Sequence, residues 1–159
     1  MRTHKYFILI STLGVLALAP VVSHAAPTTS NSQREAAQLF QRIQADAVGA
    51  KTHADRLQTD ATNYLLDWQV HAMLLSSIRH DIRDMHKAMS QLQAIRASIP
   101  PAEQRKADQV DQTIADLSIN ANDAIRFLDN NRETLWQPVY HTYARNIYKE
   151  SRMIAKETR

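Results

Sequence analysis

Beyond residue 25 the sequence holds five histidines, at positions 53, 71, 80, 86 and 141, and three of them stand at spacings that could do chemistry. Met85, His86 and Met89 form the tightest group. Thioethers and imidazole make up a donor set for Cu(I), and the same residue types ligate a non-covalently held haem. Against this, Met85 and Met89 recur at helical spacing, and such a methionine stripe also fills a core. His80 and Asp84 are one helical turn apart, a spacing that clasps a divalent ion when a neighbouring helix adds ligands and that otherwise makes an exposed pair. Trp68 and His71 are the third group. The histidine there either satisfies a loop carbonyl or a carboxylate, or lines a small pocket with Trp68 and Tyr64.

The last stretch of the chain offers binding chemistry instead. Trp136, Tyr140, Tyr143 and Tyr148 are interleaved with Arg145, Lys149, Arg152, Lys156 and Arg159. Aromatics beside cations suit a wet anionic interface such as lipid or cell-wall polymer, which makes Trp136, Tyr140, Tyr143, Arg145, Lys149 and Arg152 a candidate binding face. The alternative is core tyrosines with cations complementing a helix C-terminus. Enzymatic signatures are missing: there is no glycine-rich phosphate loop, no Gly-x-Ser-x-Gly elbow, no His-Glu-x-x-His and no Glu-x-x-His pair of the ferritin type. The expectation is a protein that is not an enzyme and carries no cofactor.

The address lies at the N-terminus. Arg2 and Lys5 precede an apolar run from Tyr6 to Val22, which ends in Ser23-His24-Ala25. A basic start, an apolar middle and small residues at −3 and −1 define a secretory signal peptide, residues 1–25, cut after Ala25. The competing reading is a retained membrane anchor, since about 17 apolar residues reach the lower edge of spanning length. Cleavage leaves a periplasmic or secreted chain of one domain, 32–157, behind a disordered tail, 26–31, with no further transmembrane segment. Removing Arg2 and Lys5 leaves 17 basic against 16 acidic side chains, so the high pI argues little for nucleic acid. That charge is uneven: residues 134–159 carry +3 and residues 26–133 carry −2.

Cysteine is absent, which excludes disulfides, thiolate metal sites and covalent haem. Past residue 25 the only glycine is Gly49, and prolines occur at 27, 100, 101 and 138 alone. A chain so poor in turn residues predicts long helices. Alternating steps of three and four run from Ala36 through Phe40, Ile43, Ala47, Ala50, Ala54 and Leu57, and on through His71, Ile78, Met85 and Met89 to Arg96 and Ile99. A second register spans Ala107 to Leu128, and a third takes Trp136, Tyr140, Tyr143, Ile147 and Ile154. Narrow seams of this kind close antiparallel bundles and coiled coils, with the alanine-rich first half expected to face the larger side chains.

Pro100-Pro101 and Asn130-Asn131 mark two breaks, and Thr59 to Asp67 a weaker one, with Asp67 able to cap a helix starting at Trp68. The spacing predicts an all-α antiparallel four-helix bundle with helices near 31–63, 68–98, 101–130 and 137–157. The alternative is a long coiled-coil hairpin, with one helix from 32 to 98 about 100 Å long. Arg96, near a helix end, is expected to snorkel or to meet the helix dipole.

At Asp67-Trp68-Gln69-Val70-His71-Ala72, followed by Ile78 and the Met85–Leu92 stretch, the chain resembles a family of small exported bacterial helical-bundle proteins with a Trp-Gln-x-His-Ala element. The resemblance covers roughly residues 36–150. It implies a helix break before Trp68 and brings no activity or site residues. The combined expectation is a binding or scaffolding module of the cell envelope, whose partner is another envelope protein or an anionic envelope polymer rather than nucleic acid. A small-ligand or metal carrier for copper or haem, and a periplasmic chaperone-like protein, are the alternatives.

Overall fold

The computed structural model describes residues 27–61 and 67–159, with side chains from residue 31 onward. The segment read as a signal peptide, Ala26 and Tyr64 lie outside the described residues. Four helices follow in order: α1, Pro27–Asp60; α2, Trp68–Ala94; α3, Pro101–Asn130; and α4, Pro138–Glu157.

Their ends have local causes. Pro101 is the first residue of α3, where a missing N–H costs nothing, and the Gln104 amide closes the double-proline corner by donating to the Ile99 carbonyl at 2.9 Å. The Asn130 and Asn131 side chains donate to the carbonyls of Arg126 and Phe127, capping the last turn of α3 from within. Asp67 has the extended backbone of an N-cap, φ −68° and ψ 138°, but makes no side-chain cap bond. Two boundaries depart from expectation. Pro27 to Asn31, expected in a disordered tail, form the first turns of α1, because a proline is pre-set for the first helical position. At the other end of the hairpin, α2 stops at Ala94, and Arg96–Ser98 tighten into a 3₁₀ turn before the prolines.

α1 packs against α2 and α4, and α3 packs against the same two, so the helices close a four-membered ring. A single helix from 32 to 98 is excluded, since α1 and α2 lie side by side. Polar contacts between neighbours give the antiparallel register: His53 with Asp81, His86 with Ser118, Gln109 with Glu157 and Asn120 with Glu150. Arg96 joins this set. Its guanidinium grips Asp108 through two bonds, of 3.2 and 2.5 Å, and so ties the end of α2 to the start of α3 instead of serving a helix dipole.

The first two registers are buried as the spacing predicts, except at Trp68 and Arg96, which are only partly buried. Ala36, Ile43, Ala47, Ala50, Ala54 and Leu57 of α1, with Val110, Ile114, Leu117 and Ala124 of α3, have no exposed surface. The third needs correcting, because Trp136 is 59% exposed and Tyr143 only half-buried. The buried row of α4 is Tyr140, Ala144, Ile147, Ser151, Ile154 and Ala155. It keeps the four-and-three rhythm through two small residues, Ala144 and Ser151, which a search for large apolar side chains passes over. Among the described residues no helix is long and apolar enough to cross a membrane.

Candidate functional site

The bundle divides the Met85, His86 and Met89 group. Both methionines sit in the core, at 0% and 2% exposure, where hydrocarbon surrounds the sulfurs. His86, one residue round the helix, points outward to α3. Its Nε2 lies 3.0 Å from Ser118 Oγ, whose own proton goes to the Ile114 carbonyl at 2.8 Å, so the imidazole is the donor. The three side chains therefore do not converge on one point. Among the described residues, no group of three or more histidines or acids is placed to hold a metal ion.

Trp68 and His71 stand at the pole where α2 and α4 begin and α1 and α3 end. His71 is buried, and its Nδ1 lies 3.2 Å from the Tyr140 hydroxyl. Burial lowers the basicity of the imidazole, against a smaller opposing pull from Asp60, so the ring is held neutral. Burial also raises the Tyr140 phenol well above its usual range and keeps it protonated. Tyr140 stacks on Phe127 with ring centroids 5.6 Å apart, and the Arg132 guanidinium lies 4.2 Å over the Trp68 ring. Arg132 and Tyr140 thus stand beside Trp68 and His71, and the tyrosine hydroxyl is a described partner of the histidine; Tyr64 and the rest of the loop 62–66 lie outside the described residues. Tyr140, assigned from sequence to a binding face, is a fully buried member of this cluster instead.

The rest of that face holds together. Arg145, Lys149 and Arg152 are exposed, and Lys156 and Arg159 extend the row. At steps of four, three and four, Arg145 to Lys156 form one ridge on α4, about 17 Å long at helical rise, and Arg159 follows just past the helix end. Among the described residues none of these five side chains enters an ion pair. The acids of α4 are turned the other way: Glu157 accepts from Gln109 and Glu150 from Asn120, both on α3. Tyr143 and Tyr148 rest against the core, and Lys51 of α1 stands 5.8 Å from the Tyr148 ring centre, on the other flank of the helix. Trp136, in the turn before α4, and Val139, in its first turn, are 59% and 41% exposed and precede the ridge in the chain.

Two clusters went unread in the sequence. Between α1 and α2, His53 Nδ1 meets Asp81 Oδ2 at 3.1 Å directly over Gly49, and Asp46 lies close enough to Asp81 and Asp84 to feel their charge. Beside it, His80 and Asp84 form the exposed pair that their spacing allowed, at 3.3 Å, while Arg83 donates to the other ring nitrogen of His80 at 3.0 Å. Burial first, and neighbouring carboxylates after it, raise Asp46; burial also raises Asp81, against the pull of His53. The lone glycine was the available signal, since glycine in a helix interior is tolerated where something approaches closely. Between α2 and α3, Arg79 and Arg83 join His86, Ser118 and Asn122 in a groove of about 350 Å³ floored by Ile82 and Ala121. Here the signal was a basic stripe at i, i+4 and i+7.

No family model matches this chain, and no curated protein or solved structure was found to be similar to it.

Proposed function

We propose that the protein is a non-enzymatic binding module of the bacterial cell envelope, exported through residues 1–25 and docked through the outer face of α4 on an anionic envelope polymer. The observation that carries this reading is the row of five exposed cations, none of them ion-paired with a described acid, while the acids of the same helix hydrogen-bond to α3. A protein gains little from lining up like charges at helical spacing, since neighbours one turn apart repel. An external polyanion removes that cost, and the exposed Trp136 in the turn before α4 offers a flat apolar contact of the sort found at wet interfaces. Little supports a copper or haem carrier, because both thioethers are enclosed in the core.

The test is co-sedimentation with purified anionic cell-wall polymer over a range of salt. The wild-type chain should pellet at low salt and release as screening sets in. A variant with Arg145, Lys149, Arg152 and Lys156 each changed to Gln should lose binding by at least tenfold with its helical signal unchanged. Equal binding by the variant removes the ridge from the account. Preference for phosphatidylglycerol vesicles over the polymer would move the partner to a membrane surface. Export is checked separately by intact mass, which should show a chain starting at Ala26.

A further inference from the structure

The groove between α2 and α3 has a property that two others on the surface lack. One of those others, lined by Arg34, Glu35, Gln38 and Arg42 among its residues, and the other, lined by Arg42, Asp46, Asp84 and Lys87, carry acids beside their cations. The α2–α3 groove is lined by Arg79, Arg83, His86, Ser118 and Asn122 over Ile82 and Ala121, with no carboxylate among them. We propose that this groove is a binding site for a small phosphate monoester, with the phosphate between Arg79 and Arg83 and an attached apolar group on Ile82 and Ala121.

The argument starts from charge. Two guanidinium groups one helical turn apart stand about 6 Å apart at their roots, and their net positive charge is uncompensated by the groove itself. Arg83 is steadied from outside by its hydrogen bond to His80 Nδ1 at 3.0 Å, which leaves its remaining N–H groups for a ligand. Arg79 enters no ion pair with a described residue.

Donor count then selects the anion. A carboxylate has two oxygens and matches one guanidinium fork, whereas a phosphate monoester offers three terminal oxygens and up to two charges, enough to bridge both. On the α3 wall, the Ser118 hydroxyl proton is committed to the Ile114 carbonyl, so Ser118 positions His86 rather than the ligand. Asn122 also lines that wall, and its side chain carries an amide donor of the type a phosphate oxygen accepts from. A groove of about 350 Å³ lies at the small end of ligand sites, which limits the occupant to one phosphate with a modest apolar group.

This site is on a different face from the α4 ridge, so the two readings fail separately. The experiment is titration of the full chain, labelled for amide NMR, with inorganic phosphate, phenyl phosphate and benzoate at fixed ionic strength. Saturable shifts are expected at residues 79–86 and 118–122, with phenyl phosphate binding at least several-fold more tightly than inorganic phosphate or benzoate. The Arg79→Gln, Arg83→Gln double variant should lose the phenyl phosphate response by tenfold or more. Neutralising Arg145 and Lys149 to Gln should leave that response intact. Shifts spread equally over α4, survival of binding in the double variant with its fold intact, or a preference for benzoate would overturn the proposal.

Discussion

The α1–α2 seam and the outer face of α4 are both rich in charge, and they handle it in opposite ways. In the seam, Asp81 and His53 share a hydrogen bond at 3.1 Å, and His80 stands between Asp84 and Arg83. The α4 ridge and Arg159 just after it hold five cations, and no described acid forms an ion pair with any of them. Charges that find partners inside the fold report on how helices are held together. Charges left without partners point away from the fold, and it is these that carry the functional reading.

That contrast predicts a double dissociation, and it is the largest effect expected. Neutralising Arg145, Lys149, Arg152 and Lys156 should weaken binding to anionic polymer on the order of 100-fold, or about 2.7 kcal/mol, while the thermal midpoint hardly moves. Changing Asp81 to Asn should do the reverse, leaving co-sedimentation unchanged and altering stability alone. If the seam variant lost binding as well, the two regions would not be separable.

Packing sharpens the comparison next. Ala50 and Ala54 are fully enclosed on α1, so Ala50→Leu or Ala54→Leu should cost about 1 to 3 kcal/mol in urea unfolding through overfilling. On the ridge, Lys149→Leu should change stability by less than about 0.5 kcal/mol, since the side chain already faces water. Equal costs would mean that α4 is covered in solution.

These alanines also show how much of the molecule could be read from its sequence. Their regular spacing made the helices, the antiparallel bundle and most of the core legible, because burial along a helix repeats and the repeat is written in residue type. Trp136 and Tyr140 were misplaced relative to each other for a physical reason. Four residues apart, they would share a face in one helix, but α4 begins only at Pro138, so Trp136 stands in the turn before it while Tyr140 enters the buried row. The basic ridge was visible as composition, but its separation from Glu150 and Glu157 depends on which side α3 lies. The α2–α3 groove needed two helices to meet, and nothing in the spacing of either one alone brings Ser118 and Asn122 beside Arg79 and Arg83.

A smaller effect concerns pH and the acid that α4 turns inward. Burial, with help from Asp116 and against the pull of Lys149, raises Glu150 from 4.5 to about 7, and one of its oxygens is buried without a partner. Between those two values the folded chain holds a proton that the unfolded chain has released, so stability falls as pH rises through this window. Asp46 and Asp81, also raised, add to the fall at its acid end. Unfolding by urea should therefore need more denaturant at pH 5 than at pH 8. Glu150→Gln should flatten most of the difference above pH 6 and stabilise the chain at pH 8 by on the order of 1 kcal/mol, a figure discounted for partial exposure. A profile that is flat in the wild type would show that Glu150 reaches water.

The smallest effect tests the seam where it is tightest. A Cβ added at Gly49 would lie 3.3 Å from both carboxylate oxygens of Asp81, close enough that Asp81 must retreat by a few tenths of an ångström. Gly49→Ala gains about 1 kcal/mol of helix propensity. It loses part of the Asp81–His53 interaction, which for partly exposed groups is worth about 0.2 to 1 kcal/mol. These oppose, so the single variant should lie within about 0.5 kcal/mol of wild type. In an Asp81→Ala background the clash is gone and the full helix gain should appear, giving a coupling of about 0.5 to 1 kcal/mol in a double-mutant cycle. Chemical unfolding of the four proteins measures it. Zero coupling would mean that α1 and α2 stand farther apart in solution than the His53–Asp81 bond requires, and the seam would then resemble the ridge: a row of charges looking outward.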